Sequence, residues 1–228
     1  MLTDPQLLAS DIVANRTMNR GRVLSGVNSY ERELGFDPID WLLARRRAHG
    51  HAVWVDACCG EGLALLHAAA RLRELGVSEE ITLIGVDLLG AFPAHDFPNL
   101  TFVETDVTKY APPANTDLVT CIHGLHYLGD KLGFLENAYA ALGDGGMFCG
   151  QLDAENVRSH DPKLGWPAIL RRAKRGGIDA ALRKHVLKIV KSGSAMQFEL
   201  QYAGATVSEK PNYSGITVID SWYDFESS

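Results

Sequence analysis

The residues able to do chemistry fall in three short stretches. The first, Asp56-Ala-Cys-Cys-Gly60-Glu-Gly62, follows the strand-favouring Val53, Trp54 and Val55 and runs into an Ala/Leu-rich stretch with the composition of a helix packed on a sheet. A strand, a small-residue turn and a helix N-terminus in that order bring backbone N–H groups against a ligand. The second stretch is Ile81-Thr-Leu-Ile-Gly-Val-Asp87, whose carboxylate stands 25 residues beyond Gly62. An acidic side chain there suits the hydroxyls of a ribose. The third is His123-Gly-Leu-His126-Tyr127, at the end of another apolar run, and an imidazole can take a proton near neutrality. The first two stretches describe a site for a nucleoside-containing cofactor.

Two cofactors compete for the glycines. A nicotinamide-type fingerprint, G-x-G-x-x-G/A, needs a small third residue so that helix and strand pack closely. Counting from Gly60 reaches Leu65, which would hold the helix away. The other reading is carried by five stretches in order. Asp56–Gly62 resembles the first motif of class I S-adenosylmethionine-dependent methyltransferases, D-x-G-x-G-x-G, with Cys58 where the first glycine usually stands. The resemblance continues through Gly85-Val-Asp87, Glu104-Thr-Asp106-Val107, Asp117-Leu-Val-Thr-Cys-Ile-His123-Gly-Leu-His126-Tyr and Leu135-Glu-Asn-Ala-Tyr-Ala-Ala-Leu-Gly-Asp-Gly-Gly146-Met-Phe, covering residues 50–153.

That resemblance implies S-adenosyl-L-methionine as cofactor and S-adenosyl-L-homocysteine as product. It assigns the methionyl part to the turn of Asp56, Ala57, Cys58, Gly60 and Gly62, and the ribose to Asp87. Leu88 and Leu89 are expected near the adenine, Asp106 and Val107 at its amino group and ring, and Ile122 and His123 at the cofactor's inner edge. An N-terminal segment often folds over the cofactor in this family, so Arg22 and Tyr30 are expected at the methionyl carboxylate or the substrate. The alternative for that segment is a solvated connector, and for Asp106 a loop-capping aspartate. His123 and His126 are the catalytic candidates. His123, nearer the strand end, is the better base, and His126 matches a histidine of the family's turn that can be structural. Tyr127 and Trp166 are expected at the substrate.

The rest of the chain has to position these groups. With 228 residues, 46% hydrophobic and 22% charged, it has the size and composition of one globular domain. A net charge of −6 argues against a general polyanion binder. Basic residues do outnumber acidic ones between Glu155 and Lys191, a pattern that more often marks a solvated helix face than a nucleic-acid site. Met-Leu-Thr-Asp-Pro lacks a secretory n-region and no apolar run is long enough to span a bilayer, so a cytoplasmic protein is expected. The four cysteines, Cys58, Cys59, Cys121 and Cys149, show no C-x-x-C spacing, so buried thiols are expected and no metal site.

Helices are expected over Asp11–Arg22 and Pro38–Ala48, the second capped by Asp37. The core should then run as strand 51–59, helix 62–75, strands 81–87 and 100–104, strand 117–122, helix 131–142 and strand 147–152. Pro93 and Pro98 leave little helical periodicity in the stretch after Asp87. An amphipathic helix is expected over Ile178–Lys191, and an antiparallel pair over Ala195–Val207 and Ser214–Tyr223. The implied fold is α/β: a doubly wound, seven-stranded, mostly parallel Rossmann-like sheet with an antiparallel C-terminal hairpin and helical caps. It reads as one domain, with an N-terminal cap (1–50), a cofactor core (51–153), a substrate lid or homodimer interface (154–194) and the hairpin (195–228). The expected activity is methylation of a small aromatic or indole-containing natural product, such as the indole carbon of a tryptophan-derived cyclic dipeptide. The alternatives are O- or N-methylation of another small metabolite, and a catalytically silent protein that binds the cofactor and works through a partner.

Overall fold

A computed structural model describes residues 1–10, 12–13, 21–161, 165–169, 179–193 and 195–225. Helices α1 (Asp4–Leu8), α2 (Tyr30–Leu34) and α3 (Pro38–His49) precede the first strand. Strands β1 (Ala52–Ala57), β2 (Ile81–Asp87), β3 (Leu100–Glu104), β4 (Thr116–Cys121) and β5 (Leu142–Gln151) then pair in parallel. Helix α4 (Leu63–Glu74) follows β1, and α5 (Lys131–Ala141) precedes β5. Strand β6 (Val157–Arg158) leaves for a second sheet, and β7 (Asp179–Arg183) and β8 (Val186–Val190) return as an antiparallel pair beside β5. The order across the large sheet is β3-β2-β1-β4-β5-β8-β7.

Alternation along β1 divides the core. Ala52 and Trp54 point into a cluster with Ile39 and Leu42 of α3 and Leu65, Ala68 and Leu72 of α4. Val55 and Ala57 point the other way, to Leu132, Leu135 and Tyr139 of α5. The helices are held at their ends by short side chains. Asp37 accepts from the Ile39 N–H at 2.8 Å and Asp130 from the Gly133 N–H at 2.9 Å, which caps α3 and α5. No helix among the described residues is long and apolar enough to cross a membrane.

The seven strands and the antiparallel pair are present, but the pair is built from other residues than expected. Residues 179–190, expected as an amphipathic helix, form the β7–β8 hairpin that closes the large sheet. In β8, Leu187 and Ile189 are buried, and Val186 and Val190 pack against the opposite cluster. Both faces are apolar, so hydropathy does not alternate and the strand is hidden in the sequence. Residues 195–223 do pair antiparallel, as β9 (Leu200–Val207) and β10 (Ile219–Phe225), but in a three-stranded sheet ordered β6-β10-β9. The stretch after β2 is irregular, as its prolines predict. Most of the helix expected over Asp11–Arg22 lies outside the described residues.

One buried cation joins the two sheets' layers. Lys131, at the start of α5, is 1% exposed and donates to Leu128 O (2.8 Å), Ile219 O (2.8 Å) and Ser221 Oγ (2.7 Å). Burial pushes its pKa down to about 7, opposed by Asp220, Asp130 and Asp153. Its three donors match three acceptors, two of them on β10, so its loss would strip two buried carbonyls of their short bonds and leave Leu128 O only the longer one from Ser221 Oγ (3.4 Å). Replacing it with methionine (Lys131→Met) should cost about 2–5 kcal/mol of stability, read as a lower midpoint in urea unfolding. An unchanged midpoint would show that the cation adds nothing net.

Candidate active site

A cavity of about 500 Å³ opens beyond the carboxyl ends of β1, β2 and β4. In an open α/β sheet this is where strand order reverses and ligands bind. The turn after β1 forms one wall with Cys58, Cys59 and Gly60. Three residues of this turn are left-handed, Cys58 at φ 57°, Gly60 at 63° and Gly62 at 70°. Cys58 therefore keeps a glycine-like backbone where the motif departs from glycine. The neighbouring turn after β4 must come close, because a Cβ on Gly124 would lie 2.4 Å from Cys58 Cβ and 2.7 Å from Cys121 Sγ. Contact with Cys121 and burial push the Cys58 thiol pKa well up, which keeps it a neutral packing group.

Two carboxylates organise the turn. Asp87 lines the cavity and accepts from the Gly60 N–H (2.9 Å) and the Leu89 N–H (3.1 Å), tying the end of β2 to the glycine turn. Asp56 is fully buried and does not line the cavity. It accepts from Tyr30 OH (2.7 Å) and Thr120 Oγ1 (2.6 Å), and Trp54 Nε1 donates to the same threonine hydroxyl (2.8 Å). Asp56 thus reaches the site through Tyr30, which does line the cavity. Ala57, Gly62 and Leu89 also lie off the cavity wall, as parts of the strand end and turns that shape it. Arg22, Leu88, Asp106, Val107, Ile122, His123 and Tyr127 all line it. Asp106 also caps its own loop, accepting from Thr108 N–H (3.0 Å) and Oγ1 (2.8 Å).

The two histidines separate. His123 lines the cavity, is itself left-handed at φ 59°, and places Nε2 3.2 Å from Glu33 Oε1. His126 is 1% exposed and off the cavity wall. Its Nε2 lies 3.4 Å from Tyr213 OH, and burial, then the neighbouring His123, push its pKa down to about 3. A neutral, enclosed imidazole holds the turn and the Tyr213 loop together, so the structure gives His126 a packing position. Trp166 is likewise away from the cavity, buried at 6% exposure in the cluster with Ile169, Leu187 and Met196, where a large apolar ring is more stable than at a wet wall.

Sequence reasoning missed the far wall. Leu7, Leu8 and Val13 come to it from the N-terminus, Leu128, Gly129 and Asp130 from the stretch before α5, and Ser214 and Ile216 from the β9–β10 loop. The N-terminus is docked by Leu2, whose N–H donates to Ala205 O on β9 at 2.8 Å, and by Leu7 packing with Ala205 and Ile219. The apolar Leu7-Leu8 pair was the one local signal. A methyltransferase domain family model matches residues 28–188. The chain belongs to that family. It is a class I methyltransferase, its cofactor is S-adenosyl-L-methionine, and the residues and volume of the site fit that group: a turn of left-handed residues, a carboxylate at the end of β2, and a cavity of about 500 Å³.

Solved structures similar to this methyltransferase include an S-adenosylmethionine-dependent methyltransferase from Mesorhizobium loti, with 17% identity over 67% of this chain and 96% of that one and a TM-score of 0.45. The DszA carbon methyltransferase matches at 14%, over 69% and 53%, with a TM-score of 0.48. Magnesium protoporphyrin IX methyltransferase (ChlM) from Synechocystis PCC 6803 with bound SAM matches at 15%, over 74% and 86%, at 0.44. No curated protein sequence matches the chain.

Asp56 gives the methyltransferase a pH signature. Burial raises its carboxyl to about 7, against hydrogen bonds from Thr120 and Tyr30 that lower it. Between the unfolded value of about 3.9 and about 7, the folded protein holds a proton that the unfolded chain has lost. The resulting stability is full below the unfolded value and is lost as pH rises through about 7. Asp56→Asn should flatten the fall in unfolding free energy across that window, measured by urea titrations at several pH values. An identical slope in the variant would place the titration elsewhere.

Proposed function

We propose that this methyltransferase acts in the cytoplasm on a small aromatic or indole-bearing natural product, with His123 taking the acceptor's proton. One observation carries the proposal: His123 lines the same cavity as the glycine turn, and that cavity continues into a largely apolar wall. Leu7, Leu8, Val13, Leu128 and Ile216 suit a ring system, and enclosure by the N-terminal segment suits a molecule small enough to be surrounded. The cofactor, when bound, supplies a methyl group already activated by its sulfonium. The protein's own work is to align the nucleophile, exclude water and move one proton. A phenol or an indole carbon gives up a proton on methylation, and an imidazole at the cavity wall can receive it.

The positions of the cofactor residues on the cavity wall support the roles that the family resemblance implies. Asp87 is proposed to hold the ribose and Asp106 with Val107 the adenine, while Cys58 and Gly60 face the methionyl part. Arg22 and Tyr30 cover it from the N-terminal side. Tyr127, on the cavity wall beside His123, is proposed at the acceptor.

Two measurements test this reading. Calorimetric titration should show binding of S-adenosylhomocysteine and S-adenosylmethionine but not NAD, and Asp87→Ala should weaken the first two by at least about tenfold, one lost charged hydrogen-bond partner. With an acceptor panel of phenols, amines and tryptophan-derived cyclic dipeptides, His123→Ala should lower kcat by about 10²–10⁴-fold and leave S-adenosylhomocysteine affinity within a few-fold. Full turnover in that variant would remove His123 from the mechanism.

A further inference from the structure

Behind His123, out of the cavity wall, lies a closed ring of hydrogen bonds that fixes which imidazole nitrogen is free. The His123 backbone N–H donates to Gln151 Oε1 at 3.0 Å. A backbone N–H has no other role, so the Gln151 amide must present its oxygen there and its NH₂ to the other side. That NH₂ donates to Glu33 Oε2 at 3.2 Å. The second carboxylate oxygen, Glu33 Oε1, faces His123 Nε2 at 3.2 Å. The His123 contact, together with Arg22 and Arg32, holds the Glu33 carboxyl below its usual range despite partial burial, and Arg22 Nε lies 3.9 Å from Oε1. An ionised carboxylate only accepts, so the hydrogen between Glu33 and His123 sits on Nε2.

We propose that Glu33 is a positioning residue that holds the His123 imidazole in its Nε2-protonated tautomer, leaving Nδ1 as the proton acceptor at the cavity. This rests on the reading of His123 as the base. The acceptor's proton passes to Nδ1, and the imidazolium so formed keeps its Nε2–H on the Glu33 carboxylate, whose negative charge offsets the new positive one. Gln151 completes the device, because it bonds both the backbone and the orienting carboxylate of the same histidine. Glu33 is supplied by α2, three residues after Tyr30 and on the same helix face. Seating Tyr30 on Asp56 therefore brings Glu33 to His123, and the base is correctly protonated only when the N-terminal segment covers the site.

The test uses the full chain, labelled with ¹⁵N-histidine and saturated with S-adenosylhomocysteine, in long-range ¹H–¹⁵N correlation spectra above the ordinary imidazole pKa of about 6.5. His123→Gln assigns the resonance. The wild type should show His123 protonated on Nε2, and Glu33→Leu should lose that pattern for a mixture of tautomers while still binding S-adenosylhomocysteine. A wild-type resonance protonated on Nδ1, or a pattern unchanged in Glu33→Leu, would overturn the proposal. The wild-type tautomer needs only the His123→Gln assignment, so that result stands even if Glu33→Leu does not fold. Full turnover by His123→Ala would instead strike the base assignment itself, with the tautomer still readable.

Discussion

Everything at the site depends on how closely two turns approach at the reversal of strand order. Strands β1 and β4 are hydrogen-bonded neighbours, so the chain leaving each must turn within a few ångströms of the other. The approach is close enough that Gly124 has no room for a side chain against Cys58. On either side of that contact stand non-glycine residues in the left-handed region, Cys58 and His123. Each such residue costs about 1–2 kcal/mol, and strain of this kind persists only where the surroundings over-determine the backbone. Here they do. Strand β1 is paired on both edges, Trp54 is fully buried, and Asp87 clamps the Gly60 N–H from the next strand.

A five-residue helix then closes the junction. Alone, α2 is far below the length at which a helix is stable in water. Ser29 accepts from the Arg32 N–H at its start, and Gly35, left-handed at φ 75°, ends it. Its remaining stability is tertiary. Tyr30 is buried with its pKa raised well above the ordinary range, first by burial and then by Asp56, so the hydroxyl stays a donor to that carboxylate. Glu33 meets His123 and Gln151 across the junction. One helix face thus touches both turns, and Arg22 and Tyr30 of the N-terminal segment line the cavity.

The parts legible in the sequence are those where one signal dominates. Strands β2 and β3 are apolar runs ended by Asp87 and Glu104, and their bounds were readable to the residue. Helix α3 carried its own punctuation in Asp37 and Pro38. The β8 strand was not legible, because Val186, Leu187, Ile189 and Val190 are apolar on both faces and a short run of that kind fits a helix as well. Glu33 was invisible for another reason. It follows the Gly- and Ser-containing stretch 21–30, and its importance lies in partners 90 and 118 residues away. His126 is expected near the ligand from its place after the fourth strand, with a structural role as the alternative, and Trp166 as an aromatic wall; in the structure both are buried and off the cavity wall. The indole of Trp166 is mostly apolar surface and is drawn to the core wherever the chain allows it.

The cavity has two halves with different origins. One half is made largely of strand ends and the turns directly after them, residues close in sequence to the element that positions them, with Arg22 and Tyr30 added from the N-terminal segment. The far half is assembled from α1, the stretch before α5, and the β9–β10 loop, segments about 80 to 200 residues apart that share no local pattern. What brings them together is the small sheet. Ala205 on β9 receives the N-terminal strand-like residue Leu2, Lys131 bonds β10 to the start of α5, and Asn212 Oδ1 folds the loop by accepting from the N–H groups of Ser214 and Ile216. None of these contacts touches the glycine turn. The β9–β10 loop meets the strand ends at another point, where Tyr213 OH lies 3.4 Å from His126 Nε2 in the turn after β4 and the Tyr213 ring stacks on His185, so the apolar wall and the end of β4 are tied through one aromatic contact.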